Sequence, residues 1–180
     1  MDDERLVRAL ARGDGRALER TYRAHKDALY SVAYHLLGET AAAEDALHDA
    51  FVGLACQARS LPPETRLRPY LLASVANHAR DQLRRRRGLG DDPAPLAAEL
   101  THEPSPPQRL EREDEAARIA RHLARLPEEQ REVVVLHVYG ELTFRAIADL
   151  GSLSINTVTS RYRYALEALR LRLGDEEAGS

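Results

Sequence analysis

The chain has no tryptophan, one cysteine, one methionine, one lysine and two phenylalanines among its 180 residues. With so few large aromatics, any core has to be built from Leu, Ala and Val. Ala and Leu are abundant and β-branched runs are short, which argues against a sheet and for an all-α protein. A single cysteine, Cys56, excludes an intramolecular disulfide framework and suits a reducing, cytoplasmic location; it reads as a small core residue. No stretch approaches the ~20 apolar residues of a membrane span, so membrane insertion is not expected. The opening MDDERLVRAL is too acidic and polar for a signal peptide. Twenty-five of the 26 basic residues are Arg, a bias that a GC-rich genome also produces, so Arg over Lys carries little functional weight.

The formal net charge of −3 hides a segregated pattern. Residues 1–87 hold 15 basic and 12 acidic groups, residues 88–114 hold 2 and 7, and residues 115–173 hold 9 and 7. The parts able to fold are mildly basic and the connector is acidic, which the overall charge conceals.

The connector is easy to place. Residues 88–108, GLGDDPAPLAAELTHEPSPPQ, contain five of the nine prolines, and their only charges are acidic. Such a segment cannot stay helical throughout and reads as a solvated linker. It separates a helical domain at 1–87 from a second at 109–173, with a disordered acidic tail at 174–180. Periodicity predicts helices near 3–12, 15–37, 40–58 and 66–87, then 107–125, 128–138, 143–150 and 155–172. Asp14-Gly15 and Gly38 punctuate the early breaks, Pro127 suits the first turn of its helix, and Gly140 suits a stop after Tyr139.

The richest stretch is 142–173, LTFRAIADLGSLSINTVTSRYRYALEALRLRL. It reads as two helices with a tight break, Thr143 capping the first. No acid occurs between Asp149 and Glu167, although a helix ordinarily favours Asp or Glu in its first turn. The positive end of the second helix is left for an anion, as a helix-turn-helix entering a DNA major groove requires. Ile155, Val158, Tyr162, Ala165 and Leu169 share the face expected to pack inward, against Ile147, Ala148 and Leu150. Asn156, Thr159, Ser160 and Arg163 share another, flanked by Thr157, Arg161 and Tyr164. Asn, Thr, Ser and Arg are the side chains that hydrogen-bond base edges and phosphates. The same pattern also fits an ordinary amphipathic hairpin with a solvated face.

Two further constellations stand out. Residues 66–87, RLRPYLLASVANHARDQLRRRR, carry seven arginines against one acid, Asp81, with Tyr70 and a short apolar stripe. Guanidinium groups neutralise phosphates and aromatic faces stack on unpaired bases; a solvated helix end and a membrane-surface helix are the alternatives. Residues 41–57 place Glu44, Asp45, His48 and Asp49 within two turns. The spacing of Asp45, His48 and Asp49 also occurs in metal sites, but nothing completes a ligand set, so no metal and no cofactor is expected. An acidic patch at a helix start and a docking face for a basic partner helix remain open.

Together these segments resemble the extracytoplasmic-function (ECF) group of bacterial RNA polymerase sigma factors. AEDALHDAF at 43–51 is similar to the family's AED-x-x-Q-[ED]-x-F segment. PYLLASVANHARDQLRRRR at 69–87, LARLPEEQREVVVLHVYGELTFRAIA at 123–148 and NTVTSRYRYALEALR at 156–170 are similar to three further segments in the family's order. Departures are His48 for Gln, Tyr70 for Trp, Ala146 for Glu, Gly151-Ser152 for Leu-Gly, and Thr159 and Tyr164 for basic residues.

The resemblance implies a division of labour without catalytic residues. Asp45, His48, Asp49 and Phe51 would dock on core RNA polymerase, at the clamp of the largest subunit, with the flap of the second subunit as a further contact. Arg66, Tyr70, Asn77, Arg80, Arg84 and Arg85 would hold the promoter −10 element. Asn156, Thr157, Thr159, Ser160, Arg161, Arg163 and Tyr164 would read the −35 element in duplex promoter DNA. The acidic linker would thread near the polymerase channels, and the family leaves room for an anti-sigma partner. A conventional helix-turn-helix regulator is the alternative; it requires a sensor pocket or phosphoacceptor in 1–87, which the sequence does not display. A metal-dependent nuclease would need a second carboxylate cluster.

Overall fold

A computed structural model describes residues 3–88 and 118–178, and side chains as far as 173. The expected linker at 88–108 and the helix start at 107–117 therefore lie, apart from Gly88, outside the described residues. All regular structure among the described residues is helical: α1 (Asp3–Ala11), α2 (Gly15–Leu37), α3 (Thr40–Gln57), α4 (Leu67–Gly88), α5 (118–124), α6 (Glu128–Val138), α7 (Phe144–Gly151) and α8 (Ile155–Ala178). This is the all-α class expected from composition.

In the first unit, α2, α3 and α4 pack against one another, and α1 lies on α2 and the 3-10 turn Ala58–Ser60. Ala42, Ala43, Ala46 and Ala50 are all buried on α3. Small residues on this stripe let neighbouring helices approach closely. Leu29, Val32, Leu54, Leu71, Leu72 and Val75 then fill the interior. Asp14 caps α2, accepting from the backbone N–H groups of Arg16 at 2.9 Å and Ala17 at 3.4 Å. Gly38 ends it in the left-handed region at φ 76°, its N–H donating to the Tyr34 carbonyl. Cys56 departs from expectation: it is exposed. The buried positions Leu54 and Ala58 are one turn apart, and Cys56 falls between them on the opposite side of the helix.

In the second unit, α6 packs on α7 and α8, and α7 on α8. Pro127 stands one residue before the expected first turn, as the cap of α6, where its carbonyl accepts from Gln130 and Arg131 N–H at 2.9 Å each. Gly140 is required by space rather than by φ: a Cβ there would lie 2.5 Å from the Leu136 carbonyl oxygen. The left-handed residue after α6 is Glu141, at φ 54°. Helix α8 runs on to Ala178, where a disordered tail from 174 was expected. Extending a helix adds a hydrogen bond for each residue fixed, and Glu176, Glu177 and Ala178 are good helix formers, which offsets Gly174.

The two units touch along α2, α4 and α6. His35 of α2 stacks on Tyr139 with ring centroids 3.8 Å apart and planes at 19°.

Candidate nucleic-acid interface

Ser154 caps α8, its Oγ accepting from the Thr157 N–H at 3.0 Å. The preceding turn closes as a Schellman motif, with Ser152 N–H on the Asp149 carbonyl at 3.4 Å and Leu153 N–H on the Ala148 carbonyl at 2.8 Å. Val158 and Ala165 are fully buried, and Tyr162 meets the rings of His137 and Phe144 at 5.1 Å each. Thr143 caps α7 as expected, accepting from Ala146 N–H. Ile155 does not pack inward; it is 40% exposed. It is the first residue of α8, beyond the reach of the elements that Val158 meets one turn later. Asn156, Thr159, Arg163 and Tyr164 point to solvent, with Thr157, Ser160 and Arg161 half-buried beside them. Thr159 donates its hydroxyl to the Ile155 carbonyl at 2.9 Å, which leaves its methyl group and an acceptor outward. Arg163 lies over the Tyr164 ring at 5.2 Å, and Arg161 pairs with Glu129 of α6 at 3.0 Å. The arrangement presents short hydrogen-bonding groups at the positive end of a capped helix, with a guanidinium about two turns further on and no acid in the first turn.

Helix α4 begins with help from far away in sequence: Asp3 Oδ2 accepts from the Leu67 N–H at 3.1 Å. Asn77, Arg80, Arg84 and Arg85 are exposed along it, and Arg66 is exposed just before it. Tyr70 is half-buried, and its hydroxyl donates to Gln57 Oε1 at 3.1 Å, so the ring is tied to the first unit's core. Arg84 pairs with Asp81 on its own helix and Arg86 with Glu39, each at 2.7 Å. Three other arginines of α4 meet the second unit. Arg68 donates to the Gly140 carbonyl at 3.2 Å and pairs with Glu141 at 2.8 Å; Arg80 pairs with Glu132 at 3.3 Å; Arg87 pairs with Glu128. Burial raises the Glu132 pKa, outweighing the pull of Arg80 and Arg161 in the other direction. Burial likewise lowers that of Arg131, and the charge of Arg87 adds to the effect.

The expected docking residues border a third feature, an open groove of about 850 Å³ between α2 and α3. Its apolar side chains include Leu18, Tyr22, Leu47, Phe51 and Val52, with Glu19, Asp27, Glu44, Asp45 and His48 also lining it. Phe51 is 8% exposed and edge-on to Tyr22 at 5.0 Å, so it forms the floor and leaves Tyr22 and Val52 as the accessible apolar surface. Asp49 does not line the groove; it faces His78 of α4 at 3.6 Å. Among the described residues no three His, Cys, Asp or Glu side chains come together as a metal-holding group.

Comparison with known proteins gives two family matches: Sigma-70 region 2 at residues 21–88 and Sigma-70 region 4 at residues 116–169. The chain is an ECF sigma factor. It is 38% identical to the ECF RNA polymerase sigma factor RpoE of Cereibacter sphaeroides over 104 residues, a match spanning 54% of this chain and 58% of that relative. It is 23% identical to the ECF sigma factor SigW of Bacillus subtilis over 96% of this chain and 97% of that one. Among solved structures it resembles CnrH, solved in complex with the cytosolic domain of CnrY, with TM-score 0.74, 25% identity, and 97% and 99% of the two chains covered. It also shares the fold of RpoE from Bartonella quintana, solved with the anti-sigma factor NepR, at TM-score 0.69 and 22% identity over 87% and 96% of the two chains.

In this sigma factor, α2 to α4 make up region 2 and α5 to α8 region 4. Sequence reading did not anticipate Tyr22 and Tyr30 lining the groove, Asp3 capping α4, or the acids of α6 that meet the arginines of α4. For the groove a signal exists, since Tyr22 and Tyr30 stand among charged residues of a surface helix. The α4–α6 pairing has none, because it joins elements far apart in the chain. No helix among the described residues is long and apolar enough to cross a membrane.

Proposed function

We propose that this sigma factor docks on core RNA polymerase through the α2–α3 groove, takes the unpaired −10 strand on α4 and reads the −35 element with the first turns of α8. The observation that carries this reading is the α8 face. Asn156, Thr159 and Arg163 stand outward on a capped helix with an acid-free first turn, in a protein of net charge −3. Arg163 supplies phosphate attraction, while Asn156 and Ser160 supply base contacts. The exposed Asn77, Arg80, Arg84 and Arg85 supply the strand contacts of α4. Asp45 and His48 at the groove, over the apolar floor, suit a basic amphipathic helix such as a polymerase clamp would offer; the flap is assigned to region 4. The factor acts by binding alone, in the cytoplasm, and an anti-sigma partner is expected by analogy with the relative solved with NepR.

Co-purification with core polymerase followed by run-off transcription tests the whole reading: defined transcripts are expected only when the chain is added, and their absence overturns it. The docking claim is tested by reversing charge at Glu44 and Asp45 together, two exposed acids of the groove, which should weaken core binding while leaving the helical content unchanged. The −10 claim is tested by permanganate footprinting of unpaired thymines with Asn77→Ala and Arg80→Ala. Opening by both at the wild-type rate removes α4 from strand capture.

A further inference from the structure

We propose that the free chain is self-masked: the acidic side of α6 and the loop after it close over the basic side of α4, while the α2–α3 groove remains open. This rests on the reading of α4 as the −10 surface. Arg68 near the start of α4, Arg80 in its middle and Arg87 near its end are each engaged by region 4, through Glu141, Glu132 and Glu128 respectively. Contact is thus distributed along the helix. The stack of His35 on Tyr139 pins the same junction from α2.

The junction is not built like a core. A cleft of about 310 Å³ lies between α4 and α6, lined by Arg80, Arg84, Glu128, Arg131 and Glu132 among others. Half-exposed ion pairs around such a cleft are individually weak and are screened by salt. A ligand preferring the open form can therefore displace them. Phosphates and α6 carboxylates compete for the same guanidinium groups, so Arg80 cannot serve Glu132 and a promoter strand together. The groove is different. Every residue lining it lies between Gly15 and Ala55, and region 4 contributes none. Docking of region 2 through it requires no opening, whereas DNA capture by α4 does. The arrangement orders the events: polymerase first, promoter second.

The test uses the full chain with Cys56→Ser and a fluorophore pair at Ala24→Cys on α2 and Val138→Cys on α6, both exposed positions. High energy transfer is expected at low salt, falling as salt rises. Adding Glu128→Gln, Glu132→Gln and Glu141→Gln should lower transfer already at low salt. The same changes should raise affinity for forked DNA with an unpaired −10 strand by about tenfold, since a binding-competent form held to a small fraction weakens apparent affinity by that fraction. Binding to core polymerase should not weaken. Equal transfer with and without the three substitutions overturns the proposal, as does transfer that falls with no gain in DNA affinity. If the triple variant fails to fold by circular dichroism, the parent's salt titration decides, and transfer independent of salt overturns the proposal. The footprint of Asn77→Ala and Arg80→Ala tests α4 as strand reader separately, so the two readings fail in different assays.

Discussion

Helix α4 and the first half of α8 are both basic, and both are proposed to face nucleic acid, yet their arginines are held differently. On α8, Arg163 keeps an outward position over Tyr164, and Arg161 is paired with Glu129 of the same unit. On α4, five arginines are paired with acids among the described residues, three of those acids coming from the other unit. A helix whose partners lie in its own unit presents a fixed face. A helix whose partners lie in another unit presents a face that depends on how the units sit. Reading duplex DNA suits the first case. Strand capture, which follows opening, suits the second.

The comparison breaks most visibly at Tyr70. If α4 is shaped by its attachments as much as by DNA, Tyr70→Ala should unfold region 2 before it affects promoter opening. Removing a half-buried ring and its bond to Gln57 should cost about 2–3 kcal/mol, below the range for a fully buried aromatic. Tyr70→Phe, which loses only the hydroxyl's hydrogen bond, should cost about 1 kcal/mol. Thermal melts of both variants check this; unchanged melting with slowed opening would mean that the ring belongs to the DNA site.

The opposite result is expected on α8. Asn156 is exposed and supports no packing, so Asn156→Ala should leave stability within about 0.5 kcal/mol. The same change should cost about 1–3 kcal/mol of binding at the cognate −35 sequence and nothing on random DNA. Arg163→Ala should instead weaken all sequences alike and lower the salt slope by about one unit. A uniform loss for Asn156→Ala, measured by competition with random duplex, would take base reading away from this helix.

These contrasts also mark what the sequence could reveal. Helix boundaries were legible because punctuation is local: Asp14, Gly38 and Thr143 act on neighbours within four residues. The outward residues of α8 were legible because helical spacing alone separates them from Val158 and Ala165. Cys56 was misread because composition cannot say which side of a helix a small residue occupies. The capping of α4 by Asp3, and the pairs from α4 to Glu128, Glu132 and Glu141, were not legible. They join residues more than forty positions apart, and ion pairs leave no periodic trace.

The junction itself should respond to acid through His35. Burial lowers its pKa, and its bond to the Ser31 carbonyl opposes that only in part. The native state therefore binds fewer protons than the unfolded chain below the usual value of 6.5. The contribution is complete above that value and is lost as pH falls through it toward the lower folded value. Glu132, whose pKa is raised by burial, acts in the opposite sense at more acidic pH. Its effect is removed by comparing wild type with His35→Phe, which retains a ring against Tyr139. Denaturant midpoints should fall between pH 7 and pH 5.5 more steeply in wild type; parallel profiles would show that His35 takes up its proton alike in the folded and unfolded states.

The smallest expected effect concerns the turn that aims α8. Ser152 sits in the left-handed region at φ 51°, the Schellman position where glycine is usual. Its Cβ is crowded by the following carbonyl, a cost of about 1–2 kcal/mol for a residue with a side chain. Ser152→Gly removes that cost, but glycine also frees the unfolded chain, which returns about 0.4–1 kcal/mol. The net gain should lie between zero and about 1.6 kcal/mol, and it should appear as a small rise in the melting temperature of region 4 only. The hydrogen bonds from residues 152 and 153 to Asp149 and Ala148 are backbone bonds and survive the change, so α8 should keep its direction. Duplex −35 binding should then be unaltered. A fall in melting temperature would mean that the Ser152 side chain contributes more to the turn than its strained backbone costs.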